Sequence, residues 1–300
     1  MDTFTTVAVV AGSIVVPSAL AIGLLWALRK WQDREGRRSP LENKRIHGAG
    51  EQLRKRIEDE GDAILSGFAV LFFAGPYFLA VWSLPRVDWS RTHFGWGEGV
   101  LFLAFVAVAA WATRKMIVHG ASRRRAIAGL KAELFTAQEL NRLIGMGCTV
   151  LHDVPADKFN LDHVVIGPRG VFLVETKSVR KPRKAKGQDH FKVAYDGEYL
   201  RFPGFVSRKA VAQTRRQAQW LASYLKDATN RPVPVFATIA LPGWWIDSPR
   251  TMNADAVRVF NPAGRGAAFM AEGFGGNNLD AGLSGLITQA LVMRYPQVDK

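Results

Sequence analysis

Two long stretches of this 300-residue chain carry no charge at all. Thr3 to Leu28 is 26 residues and Ala63 to Leu84 is 22. Each exceeds the ~20 apolar residues that take a helix across the hydrocarbon core of a bilayer. A third run, Gly99 to Thr113, has only 15 uncharged residues. It reaches spanning length over 97–118 if Arg114 and Lys115 stretch toward the headgroups. A buried helix of a soluble domain meets that third pattern as well, but its Phe and Trp content suits lipid.

The first run does not read as a cleaved signal peptide. Only Met1 and Asp2 precede it, without Lys or Arg, and it is longer than an apolar signal core of about 7–15 residues. Pro17 and the Gly75-Pro76 pair fall inside the runs, where membrane helices tolerate them. Arg29 to Asp62 holds ten Lys/Arg, whereas Pro85 to Glu98 holds two. By the positive-inside rule the first loop and everything after the third run are cytoplasmic, and the N-terminus is outside. The expected division is a membrane region, 1–119, with spans at 3–28, 63–84 and 97–118, and a cytoplasmic domain, 120–300, with its core at 126–241. The expected location is a bacterial-type inner membrane.

The formal charge of +14 is uneven. From Ala121 onward there are 26 Lys/Arg against 15 Asp/Glu, so this part carries +11 of it. Such a balance suits a polyanion, either nucleic acid or an acidic lipid surface. Cys148 is the only cysteine, which excludes a disulfide framework and a cysteine-based zinc site. Six scattered histidines lack zinc-binding spacing.

The cytoplasmic part reads as α/β. Ala126 to Ile144 has a helical apolar stripe ended by Gly145 and Gly147. Thr149 to Val154 reads as a strand, followed by a hairpin over 161–178. A second hairpin turns at Asp196-Gly197. Val206 to Lys226 reads helical, Val233 to Leu241 and Val257 to Phe260 as strands, and Ala263 to Glu272 and Leu279 to Arg294 as helices. The predicted domain is one mixed β-sheet flanked by helices on both faces.

The first hairpin, LDHVVIGPRGVFLVETKS, carries charges where apolar residues are expected. A turn over Gly167 to Gly170 pairs Ile166 with Val171 and Val164 with Leu173, which sets Asp162 against Glu175. All lie on one face, with Lys177 one step along. Opposed carboxylates at the end of an apolar strand are destabilising unless neutralised. A divalent cation does this, and an all-oxygen setting favours Mg²⁺ or Mn²⁺. A lysine beside it can orient a phosphate or a water. An ordinary surface pair of Glu175 with Lys177 meets the same pattern.

Asp, then a strand, then Glu-x-Lys resembles the PD-(D/E)xK nuclease superfamily, and the full hairpin resembles the nuclease-related domain (NERD) family. GLKAELFTAQELNRL is similar to that family's opening helix, VLHDV to its next strand, and AVAQTRRQAQWL to a later helix carrying a Gln. The resemblance covers about Gly129 to Leu241 and departs from the family in GLKAE, where a Gly-Glu pair is common. It implies a restriction-endonuclease-like fold. It implies metal ligation by Asp162 and Glu175 with the main-chain carbonyl of Thr176, Lys177 near the attacking water, Glu133 assisting the metal, and Gln213 as a positioning residue.

Arg180, Lys181, Arg183, Lys184 and Lys186 follow the Glu-x-Lys strand, and Arg208, Lys209, Arg215 and Arg216 flank Gln213. Such clusters suit binding to the phosphate backbone, while lipid headgroups would take the same charges. For Arg123 to Arg125 the lipid reading is the better one. The function expected is Mg²⁺- or Mn²⁺-dependent hydrolysis of phosphodiester bonds in DNA by a membrane-anchored protein. A non-catalytic module binding nucleic acid or protein is the main alternative, and a scaffold holding anionic lipid is the third.

Overall fold

The computed structural model describes residues 48–83, 96–182, 190–248, 256–272, 274 and 278–295. The first apolar run, 3–28, lies outside them, as do Arg183, Lys184 and Lys186. Among the described residues the chain divides into two compact units, one holding Arg56–Arg125 and the other 48–55 and the residues from Ala126 onward.

Among the described residues, the first unit is built from two helices, most of α1 (Glu51–Ser83) and the first part of α2 (Trp96–Asn141). Lys115 donates to Ser66 Oγ at 3.0 Å, His119 meets Glu60 at 2.5 Å, and Arg56 donates to Ser122 at 3.0 Å. As one partner number rises the other falls, so the helices run antiparallel. Close approach is set by small residues: a Cβ on Gly67 would stand 2.9 Å from Met116 Cγ, and Ala112 is fully buried. Leu65, Phe68, Phe72 and Tyr77 of α1 are exposed, as are Phe102, Leu103, Trp111 and Ile117 of α2. Among the described residues, one helix, within Phe102–Met146, is long and apolar enough to cross a membrane. The run 63–84 lies largely on α1.

The second unit holds two sheets where the sequence suggests one. Its strands are β1 (Thr149–Pro155), β2 (Asn160–Gly167), β3 (Gly170–Thr176), β4 (Lys192–Tyr195), β5 (Leu200–Phe202), β6 (Phe205–Ser207), β7 (Val235–Ala240), β8 (Trp245–Asp247) and β9 (Arg258–Phe260). One sheet has five strands in the order β1-β2-β3-β7-β9. Its first three are antiparallel; β3-β7 and β7-β9 are parallel. The other has four strands in the order β6-β5-β4-β8. The second hairpin needs a sheet of its own because it recruits neighbours on both sides. The chain turns back at Gly204 (φ 98°) into β6, which takes Val206 and Ser207 from the start of the expected helix, and β8 pairs with β4.

Alternation along β2 and β3 sorts their side chains onto two faces. Val164, Ile166, Val171 and Leu173 pack on Ala218, Leu221 and Leu225 of α3 (Lys209–Thr229) and on Leu283, Ile287 and Leu291 of α4 (Ala281–Val292). Val165, Phe172 and Val174 face Leu140 of α2, Phe260 and Met270. Truncating a core ring such as Phe172 costs about 3–5 kcal/mol. The expected helix over 263–272 is instead a string of turns with a short 3₁₀ segment, Ala268–Met270. Gly264 there takes φ 67°, and Gly266 has no room for a side chain against the Asn261 carbonyl.

Candidate active site

The hairpin register is the one that the turn dictates. Gly167 pairs with Gly170 around Pro168-Arg169, Ile166 with Val171, Val164 with Leu173, and His163 with Val174. Proline presets φ for the first loop position. Both glycines are needed for packing. A Cβ on Gly170 would stand 2.5 Å from the Phe236 ring, and one on Gly167 would strike the Met270 carbonyl. The ladder therefore delivers Asp162 and Glu175 to its open end, one step beyond His163 and Val174.

There the two strands are joined through a side chain. Thr176 N donates to Asp162 Oδ2 at 2.7 Å. Glu175 is 4 % exposed, and its two oxygens differ. Oε1 accepts from Lys177 Nζ at 2.5 Å and from Gln213 Nε2 at 3.0 Å. Oε2 is buried with no hydrogen-bond partner. Lys177 Nζ also donates to Gln213 Oε1 at 3.3 Å, so α3 closes a ring of three polar side chains. Gln213 reaches it from the first turns of α3, whose buried stripe at Ala210, Thr214, Gln217 and Leu221 seats the helix.

Glu133, on α2, completes the group. Loss of water, then the charges of Asp153 and Glu175, push its carboxyl up to about 7, with Lys177 opposing. Asp162 is held well above the usual carboxylate range by burial, then by Glu175 and Glu133, against the Thr176 N–H and Lys177. The arrangement is a partly buried acidic cluster with Lys177 as its cation, and it resists full ionisation by itself.

Glu133, Asp162, Glu175, Thr176, Lys177 and Gln213 thus fall together. Asp153 joins them without having been expected from the sequence. It is buried, takes φ 49°, accepts from Asn160 Nδ2 at 2.8 Å, and its charge reaches Glu133. The signal that could have found it is the one that exposes Asp162, a carboxylate interrupting an apolar strand. Among the basic residues, Arg215 and Arg216 are exposed on α3, close in sequence to Gln213. Arg180 and Lys181 follow β3 at the surface, with Lys181 Nζ 5.6 Å from the Trp244 ring centre.

Among the described residues, no group of three or more His, Cys, Asp or Glu is placed to hold a metal ion. Asp162 and Glu175 are the two carboxylates that the site can offer. That set fits Mg²⁺, which keeps several waters and takes only one or two protein carboxylates. Glu175 Oε2, buried and without a hydrogen-bond partner, is the atom such an ion would satisfy.

The family model described as the nuclease-related domain, NERD, matches residues 128–242, from α2 through β7. Over those residues the chain is similar to that domain. No curated protein and no solved structure matches the chain.

Proposed function

We propose that this nuclease-related domain is a metal-dependent phosphodiesterase acting on DNA, held at a membrane by the apolar helices that precede it. The observation that carries the reading is the asymmetry of Glu175. One oxygen is held by Lys177 and Gln213, and the other is buried without a hydrogen-bond partner.

Asp162, Glu175 and the Thr176 carbonyl are the residues that would hold Mg²⁺ or Mn²⁺. Bound there, such an ion supplies Lewis-acid polarisation of a phosphoryl oxygen and acidifies water. The chain's own groups do the rest. Lys177 places an ammonium at the pocket, where it stabilises negative charge growing on a phosphate. Gln213 fixes Lys177 and Glu175 in one geometry, so neither must reorganise during reaction. Glu133, with its pKa near 7, can accept or return a proton at neutral pH. Arg215, Arg216, Arg180 and Lys181, and in sequence Arg183, Lys184 and Lys186, supply cations for phosphates without reading bases.

Support for the anchor comes from the exposed apolar side chains of α1 and α2 and from the helix within Phe102–Met146. The positive-inside bias makes the nuclease-related domain cytoplasmic.

The test is to incubate the purified full-length protein with labelled DNA and, separately, labelled RNA in Mg²⁺. DNA should be cut. Cleavage of RNA alone would change the substrate. Tight, salt-sensitive DNA binding with neither nucleic acid cut would support a non-catalytic binding module instead.

A further inference from the structure

Behind the carboxylates, on the other face of the hairpin, four polar side chains form one hydrogen-bonded file. Asn141 Oδ1 lies 2.9 Å from His152 Nε2, at the end of the helix that carries Glu133. His152 Nδ1 lies 2.9 Å from His163 Nδ1, with the rings edge to face at 89°. His163 Nε2 lies 3.2 Å from Thr176 Oγ1. His163 is completely buried and Thr176 nearly so. Tyr295 adds a further hold, donating to the His152 carbonyl at 2.5 Å.

The chemistry of the end groups gives the file a direction. An amide oxygen only accepts, so His152 must carry its proton on Nε2. A neutral imidazole with a proton on one nitrogen is bare on the other. His152 Nδ1 is then an acceptor, and His163 must donate from Nδ1. That leaves His163 Nε2 bare, and the Thr176 hydroxyl must donate to it.

Resting on the metal-site reading above, we infer that His163 is a positioning residue of the site. Through the file from Asn141, its ring locks Thr176, whose N–H holds Asp162. Thr176 stands between Glu175 and Lys177 and pairs with Ala240 of β7. Releasing its side chain frees one rotation at the residue that holds Asp162. Groups that orient metal ligands in this way typically contribute about 10- to 100-fold in metal affinity.

Two measurements on the full-length protein test this. The first is Mn²⁺ affinity by calorimetry. Thr176→Val, the same shape without the hydroxyl, should bind Mn²⁺ about 10-fold more weakly or worse, and Thr176→Ser should bind like the parent. Asp162→Ala should lose binding. If Asp162→Ala binds as the parent does, the metal site itself is wrong. If Asp162→Ala loses binding while Thr176→Val binds like the parent, the site stands and the role given to His163 is overturned. The second uses unsubstituted protein and so stands even if a variant fails to fold. With ¹⁵N-labelled histidine near neutral pH, His163 should be protonated on Nδ1 alone and His152 on Nε2 alone. A proton on His163 Nε2 would overturn the directed file.

Discussion

Thr176 N donates to Asp162 Oδ2 at 2.7 Å, so the last residue of one strand holds the carboxylate of its neighbour. The bond predicts opposite outcomes for two small changes at Asp162. Asn keeps an oxygen for the Thr176 N–H and removes a charge that burial and two carboxylates disfavour. Asp162→Asn should therefore melt no lower than the parent without metal. Asp162→Ala leaves that N–H without its acceptor and should cost about 1–3 kcal/mol. Thermal unfolding in chelator separates them, and a lower melting point for Asn than for Ala would contradict the bond.

Glu133 sets a pH dependence. Its folded pKa of about 7 lies above its ordinary 4.5. Between these values the folded state binds more protons than the unfolded state, so stability falls as pH rises through that window. Glu133→Gln removes this slope. Variant and parent should melt alike at pH near 4, with the variant progressively ahead up to about pH 7 and the gap constant above it. Melting curves in chelator across this range provide the check; a gap that narrows with rising pH would have the wrong sign.

The turn glycines should be intolerant for different reasons. Gly167→Ala presses on the Met270 carbonyl, which is backbone and cannot swing away. Gly170→Ala meets the Phe236 ring at 2.5 Å and the Pro234 carbonyl at 3.0 Å. Each should destabilise by about 1–3 kcal/mol, as overpacking does. Equal melting temperatures for parent and both variants would mean that the hairpin does not close as described.

Arg215 and Arg216 stand exposed near Gln213 on α3. Changing both to Gln should weaken DNA binding for every sequence alike. The salt slope should fall by about one for each phosphate that is no longer neutralised. Filter binding across a salt series measures it. Unchanged DNA affinity with weaker binding to anionic vesicles would assign these charges to lipid.

How much is legible in the sequence differs between elements. The Gly-Pro-Arg-Gly turn and the alternation around it leave one workable register, and the observed pairing follows it from Gly167 to His163. Carboxylates in an apolar strand betray themselves, which is why Asp162 and Glu175 stand out, and Asp153 could have. In the second sheet the β4-β5 hairpin is legible from Asp196-Gly197, and the rest is not. β6 and β8 are three residues each, too short for periodicity, and they exist because β5 and β4 offer edges. The stretch after Pro262 has helical composition, but Gly264 takes φ 67°, which a helix does not contain. The file from Asn141 to Thr176 joins residues from a helix and three strands, and nothing local marks it.

The role proposed for Asp162 and Glu175 is to hold a divalent ion needed for cutting DNA. Its most direct measure is the rate at which the full-length protein cleaves labelled DNA as Mn²⁺ is titrated, beside Asp162→Asn shown folded by its melting curve. The parent should cut in proportion to metal occupancy and fall silent in chelator, and the variant should cut nothing at any Mn²⁺ concentration. Cleavage by Asp162→Asn at the parent's rate, or by the parent undiminished in chelator, would contradict the account.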